Sequence, residues 1–333
     1  MAATTTLRKS SRSSKIKPGE QLDHYRIDSV VSTSDVDTVY RATDLRDNKT
    51  VALKVPHPHM DADLVFAERF QRAAEIGRHL DHPDILKVFP PEHPTQNYMV
   101  MEWVDGKLLR EILNEEKKLS QERAIKIAFG ICQALSYIHN RGIVHRDLRP
   151  QHVMVDAENH VKLIDFGLAA QTGARRITFT KLSQSMGSPE YISPEQVQGK
   201  RSDARSDLYA LGVMLYEMVT GRLPFHGSNS FEIMNERLLE HPVPPREIDP
   251  SISAHLQEVI YRAMEREPQY RYPNAHDFAF DLEHLDQVGV AVRPEMQDWR
   301  KRRAATTKKT LLYAAMVLVP IAIFALLFYF ARR

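Results

Sequence analysis

The chain has 333 residues, 43% hydrophobic and 26% charged, which allows one large or two modest globular domains and excludes disorder, collagen or coiled coil as the bulk state. A single cysteine, Cys132, excludes an intrachain disulfide framework, and no Cys/His spacing of zinc type is present. The net charge of +2 is uneven: residues 1–20 carry +4, residues 287–309 carry +5, Arg332 and Arg333 add +2, and the remainder stands at −9. An acidic body with basic ends argues against a nucleic-acid-binding core and suits a soluble domain whose tails meet an anionic membrane.

In chain order, residues 1–20 are rich in Ser, Thr, Lys and Arg and read as a disordered basic tail. They lack the apolar stretch of a signal peptide. Residues 25–55 are strand-like, with apolar runs at Val30 and Val31, at Val39 and Tyr40, and at 51–55, and with turn residues Asp47 and Asn48. Leu64, Phe66, Phe70, Ala73, Ala74, Ile76 and Leu80 give residues 62–80 a helical period. Short strands are predicted at 85–89 and 98–103, and helices at 108–114 and 121–140. Strand-rich first and helix-rich later indicates an α+β protein with two unequal lobes. Residues 311–330 form an uncharged run of 20 residues. At 1.5 Å per residue that is roughly 30 Å, the thickness of a bilayer core. Lys and Arg are denser before this run than after it, so the body is expected on the cytoplasmic side. Only three residues follow the run, and no extracellular sensor domain is expected.

Motifs accumulate in one order: Val51-Ala-Leu-Lys54, His82-Pro83, His145-Arg-Asp147-Leu-Arg149-Pro, Asp165-Phe-Gly167, Ser193-Pro-Glu195, Ser206-Asp207 through Gly212, and Arg271. In this order and spacing the chain resembles the eukaryotic-type Ser/Thr protein kinases, including those of bacteria, over residues 25 to about 286. The resemblance implies a bilobal kinase domain over residues 21–286, with the small lobe at about 21–104 and the helical lobe at about 105–286; charge and hydropathy add a basic linker (287–309) and a transmembrane helix (310–330). The resemblance also implies site roles. Lys54 would hold the α- and β-phosphates of ATP, Asp147 would accept the substrate hydroxyl's proton, and Arg149 would keep positive charge near the transferred phosphate. Asp165 would hold Mg²⁺ or Mn²⁺. Val39, Ala52 and Met154 would sandwich adenine, with Met101 as gatekeeper and Glu102 to Val104 as the hinge. Arg146 would pair with a phosphate on the segment after Gly167, where Thr178 and Thr180 are the candidate sites. Glu195 and Arg271 would form a buried ion pair, and Asp207 would tie down the catalytic loop.

Three features depart from that family. No glycine stands at Ser32, Ser34 or Asp37, where the phosphate-clamping loop has its three glycines; Asp35 and Asp37 are expected to bring negative charge towards the triphosphate. The helix glutamate that pairs with Lys54 is replaced by Ala73, with Glu75 about 200° round the helix. His152 stands where the second metal ligand is Asn, and an imidazole suits Mn²⁺ better than Mg²⁺. The expectation is therefore a membrane-anchored Ser/Thr kinase of attenuated activity, using ATP, acting on protein substrates and self-associating for trans-phosphorylation. The alternative is a pseudokinase scaffold of the same fold.

Overall fold

Strand alternation decides which side chains of the small lobe meet the cleft. The computed structural model describes residues 16–60, 63–171 and 189–291. Its first sheet is antiparallel and six-stranded, in the order β1-β2-β3-β4-β6-β5. The strands are β1 (Gln21–Leu22), β2 (Tyr25–Thr33), β3 (Asp37–Asp44), β4 (Thr50–Pro56), β5 (Val88–Phe89) and β6 (Met99–Glu102). One face carries Tyr25, Ile27, Tyr40, Ala42, Val51, Leu53, Tyr98 and Val100, which close into their own core. The other presents Ala52, Met99 and Met101 to a second cluster containing Ala73 and Ala74, with Val39 and Val104 packed beside it. Lys54 lies two residues beyond Ala52 on β4, so it emerges on this second face. The register sets Val39 against Lys54 and Ala52 against Met101.

Residues 16–20, read from the sequence as tail, instead belong to the small lobe. Ile16 packs on the first core and its N–H donates to the Tyr40 hydroxyl at 3.2 Å. The Gly19 N–H donates to the Ile27 carbonyl at 2.8 Å. One apolar side chain with a sheet to cover outweighs the polar composition around it.

Helix α1 (Leu64–Arg78) starts at Asp63, whose carboxylate accepts the Val65 and Phe66 N–H groups at 2.9 and 3.1 Å. It buries Ala73, Ala74 and Gly77. Gly77 is required by packing, since a Cβ there would stand 2.6 Å from a Val88 methyl. Leu64, counted in the helical period, is 77% exposed, and the apolar face begins further along.

Beyond β6 the chain forms β7 (Gly106–Leu108), α2 (Leu109–Glu116), α3 (Gln121–His139), β8 (Ile143–Val144), β9 (Val153–Asp156), β10 (Val161–Leu163) and β11 (Ala170–Gln171). After residue 188 come α4 (Pro194–Val197), α5 (Ala204–Thr220), α6 (Ser230–Leu239), α7 (Pro245–Ile248), α8 (Ala254–Ala263) and α9 (Ala275–Glu283). Helix α5 is buried from Ser206 to Thr220, the acidic Asp207 and Glu217 included. Helices α3 and α8 pack on it, and a Cβ at Gly212 would come within 2.8 Å of Ala263. The lobes join where the Leu86 N–H donates to the Leu163 carbonyl at 3.0 Å and the Leu163 N–H to the Asp84 carbonyl at 2.8 Å, around the Ile85–Leu163 bridge. No helix among the described residues is long and apolar enough to cross a membrane. The 311–330 run lies outside those residues.

The helical lobe is braced by a buried pair. Arg271 donates to both Glu195 oxygens at 2.8 and 2.7 Å and to the carbonyls of Glu265, Arg205 and Arg266, while Ser206 adds a hydroxyl bond to Glu195 at 2.6 Å. Burial pushes the Glu195 carboxyl up, but the hydrogen bonds and charge of Arg271 outweigh it and hold the group below its ordinary value of 4.5. Removing one partner strands the other charge, so Arg271→Ala is expected to cost about 3–5 kcal/mol in urea unfolding at neutral pH. Because the folded carboxyl titrates below the unfolded one, the pair's contribution is full above pH 4.5 and is lost as pH falls through the lower folded value. The stability gap between wild type and variant should therefore narrow in acid; a gap independent of pH would contradict the pairing.

Candidate active site

The cleft between the lobes collects charged side chains from both. Lys54 Nζ lies 3.5 Å from Asp165 Oδ2 in the helical lobe and 3.4 Å from Asp37 Oδ2 at the start of β3. Asp165 carries a left-handed backbone, φ +64°, and its Oδ1 accepts the Gly167 N–H at 3.0 Å. The Lys54 charge outweighs burial and, with the Gly167 N–H, holds the Asp165 carboxyl well below the usual carboxylate range. In return Asp165, foremost, and Asp37 raise the Lys54 ammonium against the opposing effect of burial.

The segment from His145 to His152 is held from beneath. Buried Asp207, on α5, accepts the N–H groups of His145 and Arg146 at 2.8 Å each and lies 2.9 Å from His139 Nε2. Burial raises the Asp207 carboxyl, yet the His139 bond, neighbouring charges and backbone donors leave it net lowered and ionised. These bonds fix Arg146 at φ +67°, a conformation costing a non-glycine residue about 1–3 kcal/mol. His145 is buried beside Phe166 and pushed down in pKa chiefly by burial, so it is neutral; its Nε2 donates to the Ile164 carbonyl at 3.2 Å.

His152 connects the two acids of the site. Its Nδ1 donates to the Asp147 carbonyl at 2.7 Å and lies 3.5 Å from Asp147 Oδ2. With Nδ1 protonated, the Nε2 lone pair faces Asp165 Oδ2 at 3.9 Å. Lys54, Asp165, His152 and Asp147 thus lie along one continuous line of polar side chains. Arg149, half-buried, has an Nε with no hydrogen-bond partner among the described residues, and so does Arg146. Burial lowers the Arg146 pKa, with Asp207 opposing and with Arg72 and Arg201 near enough to repel it. That grouping of three guanidiniums, Arg146 with Arg72 and Arg201, is suited to an anion.

Val39, Ala52, Met101 and Val104 meet in one apolar cluster on the cleft side of the sheet. Met154 lies in the neighbouring three-stranded sheet, on β9 opposite Leu108. Glu102 has its side chain bonded to Lys162 and to the Lys87 N–H, both at 2.8 Å. Thr178 and Thr180 lie outside the described residues.

One expectation changes. Asp37 does not stand as free negative charge, because it is paired with Lys54; Asp35 is exposed, and its carbonyl contacts His57. Glu75 is exposed on α1, and no ion pair joins it to Lys54 among the described residues. The turn without glycines is closed by Ser34, whose Oγ accepts the N–H groups of Val36 and Asp37 and donates to Asp37 Oδ1 at 2.8 Å. His57 pins it from behind, with Nδ1 at 3.2 Å from the Asp35 carbonyl, Nε2 at 2.9 Å from the Thr38 hydroxyl and its N–H on the Val36 carbonyl at 2.8 Å. Strand parity could have shown Asp37 facing the cleft, since it precedes Val39 by two. Nothing in the sequence marks His57 or His139 for their parts.

The protein kinase domain family matches residues 26–279. A probable serine/threonine-protein kinase of Streptomyces coelicolor is 37% identical over 264 residues, covering 78% of this chain and 39% of that protein. Serine/threonine-protein kinase PknB of Mycobacterium tuberculosis is 36% identical over 271 residues, covering 80% and 43%. The chain thus matches about two fifths of the length of these relatives. The crystal structure of the M. tuberculosis PknI kinase domain superposes with a TM-score of 0.63 at 26% identity, covering 81% of this chain and all of that one. With its two-lobed fold, this match places the chain in the bacterial-type Ser/Thr protein kinase domain family.

Proposed function

We propose that the chain transfers the γ-phosphate of ATP to Ser or Thr hydroxyls of protein substrates. The observation that carries this is the line from Lys54 through Asp165 and His152 to Asp147, which sets a cation for the phosphates and a carboxylate for the hydroxyl on opposite sides of one cleft. Phosphoryl transfer needs positioning and charge neutralisation more than covalent chemistry. Asp147, 27% exposed at its side chain, is open to an incoming hydroxyl and can take its proton. Arg149, two residues from Asp147, keeps positive charge near the transferred phosphate. The apolar cluster of Val39, Ala52, Met101 and Val104, with Met154, suits a planar base, and the backbone from Glu102 to Val104 supplies its edge contacts. Arg146, with Arg72 and Arg201 near, suits a phosphate on Thr178 or Thr180. Asp165 and His152 turn an oxygen and an imidazole lone pair towards each other, which fits a divalent cation; when bound, it neutralises phosphate charge.

The turn at Ser34 to Asp37 lacks the glycines that let backbone approach phosphate closely, so turnover is read as attenuated. The same feature favours a second reading, a scaffold of this fold that binds nucleotide weakly or not at all. The purified full chain should phosphorylate itself or a generic protein substrate, and Asp147→Asn should lower that rate by at least about 100-fold. No transfer in wild type, together with no ATP binding at millimolar concentration by calorimetry, would establish the scaffold instead.

His152 gives a sharper expectation. An imidazole lone pair favours Mn²⁺ over Mg²⁺. His152→Asn should raise the Mg²⁺-supported rate relative to the Mn²⁺-supported one, and equal change with both ions would remove His152 from the cation's surroundings.

Residues 311–330, preceded by the basic 287–309 segment, are read as a membrane anchor with the kinase body on the cytoplasmic face. Bodies held in one plane meet at high effective concentration, which favours phosphorylation between neighbours. On fractionation the full chain should pellet with membranes and a chain lacking 310–333 should stay soluble. A truncated chain that still pellets would rule out this anchor.

A further inference from the structure

We infer that Asp37 is the positioning residue of Lys54, doing from the β2–β3 turn what a carboxylate on α1 does not do here. The inference rests on the kinase reading above. The Lys54 ammonium lies between two carboxylates at nearly equal range, 3.4 Å from Asp37 and 3.5 Å from Asp165. Helix α1 offers none: Ala73 is buried among apolar side chains, and its two glutamates, Glu68 and Glu75, are exposed. Asp37 is built to stay. Its side chain is 13% exposed, its Oδ1 is bonded to Ser34 at 2.8 Å, and its carbonyl accepts the Ser34 N–H at 2.9 Å. The three contacts of His57 fasten the same turn to the end of β4. The β3–β4 register pairs Val39 with Lys54 and Asp37 with Pro56. Asp37 and Lys54 are therefore diagonal neighbours on one face, a separation that a long lysine side chain spans.

The consequence concerns control as well as rate. The orientation of Lys54 is set by strand register, which is fixed once the sheet folds. Movement of α1 would leave the pair intact, so the approach of that helix does not gate the lysine. A different role for Asp37, as a charge that merely repels the triphosphate, makes the opposite kinetic forecast.

The test uses the full chain in detergent. If Asp37 positions Lys54, Asp37→Asn lowers kcat at least about 10-fold while KM for ATP moves less than about threefold, and Asp37→Glu, which keeps the charge, retains more turnover than Asp37→Asn. An unchanged or raised kcat in Asp37→Asn, with a lower KM, would overturn the assignment in favour of simple repulsion. A thermal double-mutant cycle decides independently of turnover. The melting temperatures of Asp37→Asn, Lys54→Met and the double variant should be non-additive by about 2–4 °C. Additive losses would show that the two side chains do not interact. A wild type that melts cooperatively and shows this coupling but transfers no phosphate would defeat the kinase reading while leaving the pair in place.

Discussion

The ammonium of Lys54 is the charge on which the cleft is organised. It holds Asp37 of the small lobe and Asp165 of the helical lobe within 3.5 Å, and through Asp165 it reaches His152 and Asp147. At an effective dielectric of about 20, a unit pair at this range interacts by roughly 5 kcal/mol before desolvation is subtracted. Of the two pairs only Lys54–Asp165 crosses the cleft, while Asp37–Lys54 lies within the small lobe. One cation between two acids also leaves the site one negative charge in excess, which a divalent cation held by Asp165 and His152 would offset.

Each side of that arrangement is supported at a distance from it. On the small-lobe side, Ser34 and His57 turn a glycine-free stretch into a closed, cross-linked hairpin, so Asp37 is presented rather than left to wander. On the helical side, buried Asp207 collects the N–H groups of His145 and Arg146 and holds Arg146 in a left-handed conformation. Helix α5, which carries Asp207, is itself enclosed by α3 and α8 and braced through Ser206 by the Glu195–Arg271 pair. The geometry at Asp147 therefore depends on buried polar contacts that extend well into the helical lobe.

Much of this was legible in the sequence because periodicity and burial act locally. The α1 period, the strand at Val51 to Val55 and the long helix after Ser120 all follow from apolar spacing, and they stand within a few residues of where the spacing put them. The motif order brought Lys54, Asp165 and Asp147 to one cleft, which composition alone could not do. The pairing of Asp37 with Lys54 is only half legible: strand parity puts Asp37 on the cleft face, but nothing in the spacing sets it against Lys54. It depends on a register between two strands and on a turn closed by a serine hydroxyl, neither of which leaves a periodic signal. The same holds for Ile16, whose polar neighbours conceal its place on the small-lobe core.

The central claim is that Lys54 serves the nucleotide while Asp37 keeps it in place. A crystal structure of the chain with a non-hydrolysable ATP analogue and Mn²⁺ tests it most directly. The account predicts the analogue's phosphates bonded to Lys54 Nζ with Asp37 still within about 4 Å of that nitrogen, the reach of an ion pair. Lys54 turned away to Glu75, or a nucleotide whose phosphates avoid Lys54 altogether, would contradict it.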